Sequence, residues 1–381
     1  MKKILKEEKI FEEAMQILAE NLNVSWSIRN ILAEDSNASV ELLARLAEDD
    51  NLCVRAAVAS NPNASAEILT ILSEDKERVV LEAVATNSNT PVKILAKLAE
   101  ANYWNIRRAV ATNQNASPRT LENLSGDINF EIRCAVAENP NTFKKTLERL
   151  ANCYDDTINK AVASNPNASE KALKRLAKRY DWRVRELVAS NSSATPKILE
   201  MLASDNDPDV RCAVAGNSNT PVETLAKLAE DMDYVVQHWV AGNANATVKI
   251  LEKLADNEEI DVRSAVARNP SASAEILAKL AKDKCRTIRI HVASNPNTSV
   301  ETFSKLANDV EVDVIIAVCR SSYTPVETLS ELAEDDFCLI RENVASNPNT
   351  PKNILRKLAE DDSMLVKDAA THNPNMLVSD K

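Results

Sequence analysis

An asparagine recurs every 26 residues along this chain, and no other feature limits its fold so sharply. It stands at Asn61, Asn87, Asn113, Asn139 and Asn165, continues from Asn191 to Asn295, and returns at Asn347 and Asn373. The single double step crosses Ser321. Leucine keeps the same step from Leu46 and Leu72 to Leu332 and Leu358, and valine keeps it from Val58 to Val344. Register held this long without insertion predicts identical units that stack and share one continuous core.

Each unit reads as two short helices. The first opens at Ser or Thr, often with proline next: Thr90-Pro91, Ser117-Pro118, Thr195-Pro196, Thr220-Pro221, Thr324-Pro325 and Thr350-Pro351. The hydroxyl is expected to cap an orphan N–H, and proline there loses no helical bond. Between 221 and 230, Thr224, Leu225, Leu228 and Ala229 share a face, while Glu223 and Lys227 are an expected i,i+4 pair. In the second helix Val210, Ala213 and Val214 form the apolar stripe, and Asp207 and Arg211 are expected to pair on its flank. It is about two turns long, so part of it is expected to be 3₁₀. The N-P-N phrase ends it, because proline biases the residue before it away from αR.

Composition removes the rival folds. Gly126, Gly216 and Gly242 are the only glycines, too few for phosphate-cradling loops or a hairpin-rich β fold. The net charge of −11 disfavours nucleic acid and anionic lipid unless basic residues are segregated. No apolar run approaches the roughly 20 residues of a membrane span. Seven cysteines, none at C-x-x-C spacing, fit reduced thiols in a cytoplasmic protein. The expected layout is a capping helix in 1–25 (Ile10, Phe11, Ala14, Ile17 and Leu18), an array over 26–375, and a tail at 376–381. With no further helix expected after Asn375, that end is a candidate for end-to-end self-association.

The phrase x-V-R-x-A-V-A-x-N-P-N-x-S/T/P, followed by I-L-x-x-L-A-x-D, resembles the leucine-rich repeat variant family over roughly 28–375. The resemblance implies a right-handed superhelix of alternating α- and 3₁₀-helices. A founding member of that family couples its repeats to a cysteine-ligated iron–sulfur module, but residues 1–52 here contain no cysteine, so no cofactor is expected. Asp and Arg six residues apart resemble HEAT-type repeats: Asp49/Arg55, Asp127/Arg133, Asp205/Arg211, Asp283/Arg289 and Asp335/Arg341. The fold class expected is therefore all-α, a right-handed α-solenoid of about fourteen two-helix repeats.

Candidate sites divide into structural and binding groups. The Asp–Arg column, with Arg29, Arg107, Arg185 and Arg263 as further members, reads as a ladder between layers. The asparagines read as partners for turn amides. Trp26, Trp104 and Trp182 share a column three repeats apart, joined by Phe130 and Tyr234, and are candidate partner-binding anchors. Tyr323 is another, in the repeat that departs most from the pattern, with Ile315, Ile316, Cys319 and Ser321. In a further column Leu187, Trp239, His291 and Asn343 alternate with Ala161, Ala213, Ala265, Ala317 and Ala369, as a tight seam would require. No catalytic or metal-binding spacing occurs, and His238, His291 and His372 lie far apart.

The expected function is a non-enzymatic scaffold for a protein or peptide. Two alternatives are a nucleic-acid-binding or base-repair solenoid and a bilin lyase-like modifying enzyme. The first would use the column Lys97, Arg149, Arg175, Lys227, Lys253, Lys279, Lys305 and Lys357, but Glu41, Glu223, Glu275 and Glu301 are expected to neutralise it.

Overall fold

The computed structural model describes residues 24–377. The apolar residues expected to form the N-terminal capping helix lie outside that range. Among the described residues there are 28 α-helices and no strand. Before the final four-residue helix they alternate between seven-residue helices, such as Val40–Leu46 and Ala66–Leu72, and nine-residue helices, such as Leu52–Ser60 and Arg78–Thr86, with Arg286–Ala293 one residue shorter. The chain is an α-solenoid of two-helix repeats. It forms two compact units, 1–193 and 194–381. Within each unit every long helix lies beside the next long helix, and every short helix packs on the long helix of its own repeat.

Apolar spacing explains the layering. The short helix buries two leucines one turn apart, such as Leu69 and Leu72 or Leu121 and Leu124. The long helix buries Val54, Val58 and Ala59, and in the inner repeats their equivalents, with essentially no exposed surface. Alanine lets neighbouring backbones approach, and Phe303 fills one leucine place, fully buried.

Three local expectations need correction. Serine does cap the short helices: Ser39, Ser65, Ser117, Ser169, Ser273 and Ser299 each accept the N–H three residues on. Threonine before proline mostly does not. At Thr90-Pro91, Thr220-Pro221, Thr324-Pro325 and Thr350-Pro351 the proline occupies the cap position. The threonine, one place earlier and buried, donates backwards to the Val84, Val214, Val318 or Val344 carbonyl at 2.5–2.6 Å. Those carbonyls lie in the last turn of the long helix, where intrahelical donors have run out. Thr195 does sit at the cap but makes no capping bond.

The long helix is α throughout, with no 3₁₀ segment. Tighter i,i+3 bonds occur at its ends: the Asn61 and Asn165 N–H donate to Val58 and Val162 at 3.1 and 3.2 Å, and that of Asn87 is shared between Ala83 and Val84 at 3.1 and 3.2 Å. After Asn373, one more helical turn, Pro374–Leu377, packs against Lys352–Leu358 and Met364–His372.

Candidate interaction surfaces

The recurring polar side chains point into the stack. Within each unit the asparagines of the 26-residue column donate to two carbonyls of the preceding repeat. Asn87 reaches Ala59 at 2.7 Å and Asn61 at 2.9 Å, and its Oδ1 accepts the Asn89 N–H at 2.8 Å. Asn113 and Asn139 repeat this in the first unit, Asn243 and Asn269 in the second. All are buried. The divergent repeat keeps the rung, because the acceptors are main-chain: Asn347 donates to Cys319 and Ser321.

The arginines form a second ladder whose register differs from the sequence spacing. Arg55 pairs not with the carboxylate of Asp49 but with Asp75, 20 residues on, at 2.6 Å. Its Nη1 donates to the main-chain carbonyl of Asp49 at 2.7 Å. Asp49 in turn takes Arg29. Arg107–Asp127, Arg211–Asp231, Arg263–Asp283, Arg289–Asp309 and Arg341–Asp361 repeat the geometry at 2.6–2.7 Å. Each guanidinium thus joins the loop of its own repeat to the carboxylate of the next. The Asp127, Asp205, Asp283 and Asp335 carbonyls receive Arg133, Arg211, Arg289 and Arg341 in the same way. Asp207 is correspondingly not the partner of Arg211; it caps its helix by accepting the Asp209 N–H.

Every third rung is altered. Leu81, Asn159, Gln237 and Ile315 stand in the arginine column, 78 residues apart. Three of them, Leu81, Asn159 and Gln237, face a lost carboxylate as well: Ala101 lies opposite Leu81, and Asn257 donates to Gln237 at 2.5 Å. Opposite Asn159 stands Arg179, and opposite Arg133 stands Cys153.

The exposed aromatic residues are what remains. Trp26, Trp104, Phe130, Trp182 and Tyr234 are each the first residue of a long helix. Trp26, Trp104, Phe130 and Tyr234 are about half exposed, while Trp182 is more covered and carries the Arg183 guanidinium over its ring at 4.8 Å. Tyr323 is exposed too but lies in a turn, outside that column.

A surface not anticipated from the sequence surrounds Trp239. Its ring rests on Gly216, where a Cβ would come within 3.2 Å of it. Gly242 leaves open space beside it. The result is an open groove of about 320 Å³ lined by Trp239, Gly242, Ala265, Arg268 and Pro270. Two of the chain's three glycines border it, the one sequence signal that marked it. Two other bulky members of that column also reach the preceding repeat: His291 meets Ser264 at 2.9 Å, and Asn343 accepts from Arg320 at 2.7 Å.

Among the described residues no three His, Cys, Asp or Glu side chains are placed to hold a metal ion, and no helix is long and apolar enough to cross a membrane. Burial pushes the Cys319 thiol up to about 12.

The Leucine Rich Repeat Variant domain matches residues 157–218, and the Leucine rich repeat variant matches 208–233. No curated protein matches the chain. Among solved structures, one described as a leucine-rich repeat variant with a novel repetitive motif is 22% identical, over 58% of this chain and 88% of its own, with a TM-score of 0.44. Kap95p bound to RanGDP is 12% identical over 91% of this chain and 60% of its own (TM-score 0.39). Kap121p bound to Nup53p is 11% identical over 97% and 47% (TM-score 0.32).

Proposed function

Because the repeats matched at 157–233 are those of the leucine rich repeat variant family, and the others follow their columns, we propose that this chain is a non-enzymatic scaffold that binds protein or peptide partners. One observation carries the reading. The recurrent Asn, Arg and Asp side chains are largely consumed in joining repeats, whereas Trp104, Phe130 and Trp239, although the last rests on Gly216, each keep about half of their surface exposed. Trp and Tyr dominate binding hot spots because they offer large rigid contact area. Trp104 and Phe130 in the first unit and the Trp239 groove in the second are the anchors we assign. The unpaired cysteines favour a reducing, cytoplasmic setting.

The test is selection of a displayed random-peptide library on the intact chain. Enriched peptides should lose binding to Trp239→Ala or to Trp104→Ala/Phe130→Ala, with melting temperature unchanged. Failure to enrich any peptide, or binding indifferent to all three substitutions, removes the reading.

A further inference from the structure

Three consecutive short helices of the first unit, Pro118–Leu124, Lys144–Leu150 and Glu170–Leu176, place Arg119, Lys145 and Lys171 at one register position. The last two add Arg149 and Arg175 one turn later. Between 144 and 186 there are eleven Lys or Arg against six Asp or Glu, in a chain whose net charge is −11.

Cations in the last turn of a helix have an ordinary cause, attraction to its carbonyl end. In this fold they have a second partner. Lys253 meets Glu230 at 2.7 Å and Lys279 meets Asp256 at 2.5 Å, each 23 residues upstream; Lys97 meets Glu74 and Lys357 meets Glu334 in the same register. At Gly126, Asn152 and Lys178 that acid is missing, as it is again at Ser204, Lys282 and Asn308. Arg149 therefore turns to the Glu122 carbonyl and Ser125. Arg175 stands beside Asn152, and Lys178 adds charge where a carboxylate belongs.

The consequence is an open groove of about 540 Å³ walled by Lys171, Lys174, Arg175, Lys178 and Arg179, with Asn152 and Tyr154. A smaller hollow of about 160 Å³ continues it to Lys145 and Arg149. The acid there, Glu148, is engaged by Ser169 at 2.8 Å and Lys171 at 3.2 Å. Arg179 is held in place by the Ala151 and Cys153 carbonyls at 3.0 and 2.7 Å, and its guanidinium lies 5.6 Å over the Tyr154 ring.

We infer that this groove binds an extended acidic peptide segment, an inference that rests on the scaffold reading above. Packed helical layers are about 8–10 Å apart, and an extended polyproline-II chain, with three residues per turn, advances about 3.1 Å per residue, so every third side chain returns to the same face about 9 Å on. A carboxylate on every third residue therefore meets the cations of successive layers. A polynucleotide fits less well: outside 144–186 the chain carries 35 Lys or Arg against 51 Asp or Glu, which repels a long polyanion.

The test uses the full chain and a fluorescein-labelled twelve-residue peptide with Asp at every third position, followed by fluorescence anisotropy. Binding should weaken as salt rises, vanish for the Asp→Asn peptide, and fall at least about tenfold in Lys174→Glu/Lys178→Glu. Both lysine side chains are exposed, so the variant should melt as wild type does. Equal affinity for the Asn peptide overturns the inference. So does tighter binding of an oligothymidylate that the same variant abolishes, which would mark a nucleic-acid surface. Library peptides that need Trp239 or Trp104 but ignore Lys174→Glu/Lys178→Glu would sink this inference while leaving the scaffold reading intact.

Discussion

The amide of Asn139 donates to Ala111 and Asn113 at 2.8 and 3.0 Å and accepts the Asn141 N–H at 2.9 Å, so three main-chain groups depend on one buried side chain. Leaving such groups unpaired costs about 1–3 kcal/mol each. Asn139→Ala should therefore destabilise by roughly 3 kcal/mol, and Asn139→Asp, which turns a carboxylate toward two carbonyls, by at least as much. Urea melts check this, and a neutral Asp variant would contradict the rung. The arginine rungs invite a double-mutant cycle. Arg107→Leu strands Asp127 and should cost about 1.5–3 kcal/mol. Adding Asp127→Ala reproduces the natural Leu81/Ala101 pairing, so the double variant should be more stable than the sum of its parts by about 1 kcal/mol or more. Strict additivity would mean that the joint loss at that rung has another origin.

At the scale of the helix pair, serine and threonine look interchangeable in sequence but serve opposite ends. Ser117 accepts the Thr120 N–H at 3.1 Å and starts a short helix; Thr90 donates to Val84 and finishes a long one. Ser117→Ala should cost about 1 kcal/mol through the lost cap. Thr90→Val should cost a similar amount although it removes no cap. Denaturant midpoints for both settle the assignment; an unaffected Thr90→Val contradicts the backward bond. The seam column makes a sharper demand. Ala265 is 3% exposed and shares the Trp239 groove. Ala265→Trp should overpack it by about 1–3 kcal/mol or more, and a variant that melts with the wild type would end the idea that bulk must alternate with alanine there.

Across each unit the Asp–Arg rungs share one response to acid. The Asp127 and Asp361 carboxyls are held below the usual range first by hydrogen bonds from Arg107 and Arg341, with burial working against them. A carboxyl depressed in the folded state stabilises above its unfolded pKa, about 3.9, and loses that contribution as pH falls through the folded value. Urea midpoints should accordingly hold between pH 7 and about 5 and drop steeply below about 4. A midpoint that rises on acidification would contradict the ladder's charge. The match to leucine rich repeat variant repeats at 157–233 and the continuous columns make this one behaviour repeated, not a set of unrelated pairs.

Periodicity was enough to determine the two-helix unit, its buried Leu, Val and Ala columns and the inward use of asparagine, because a strict repeat leaves each position one environment to satisfy. It could not determine which repeat supplies a partner. Asp49 lies six residues before Arg55 and Asp75 lies 20 after it, and only the stacking of layers puts the Asp75 carboxylate, and not that of Asp49, within reach. Lys227 likewise turns to Ser204 in the preceding repeat and not to Glu223, whereas Lys305 does take its i,i+4 partner Glu301. The basic groove escaped notice for the same reason. Its missing acids at Gly126 and Asn152 stand 23 residues from Arg149 and Arg175, the cations they leave unmatched, a distance along the chain that becomes contact only when one helix lies on the next.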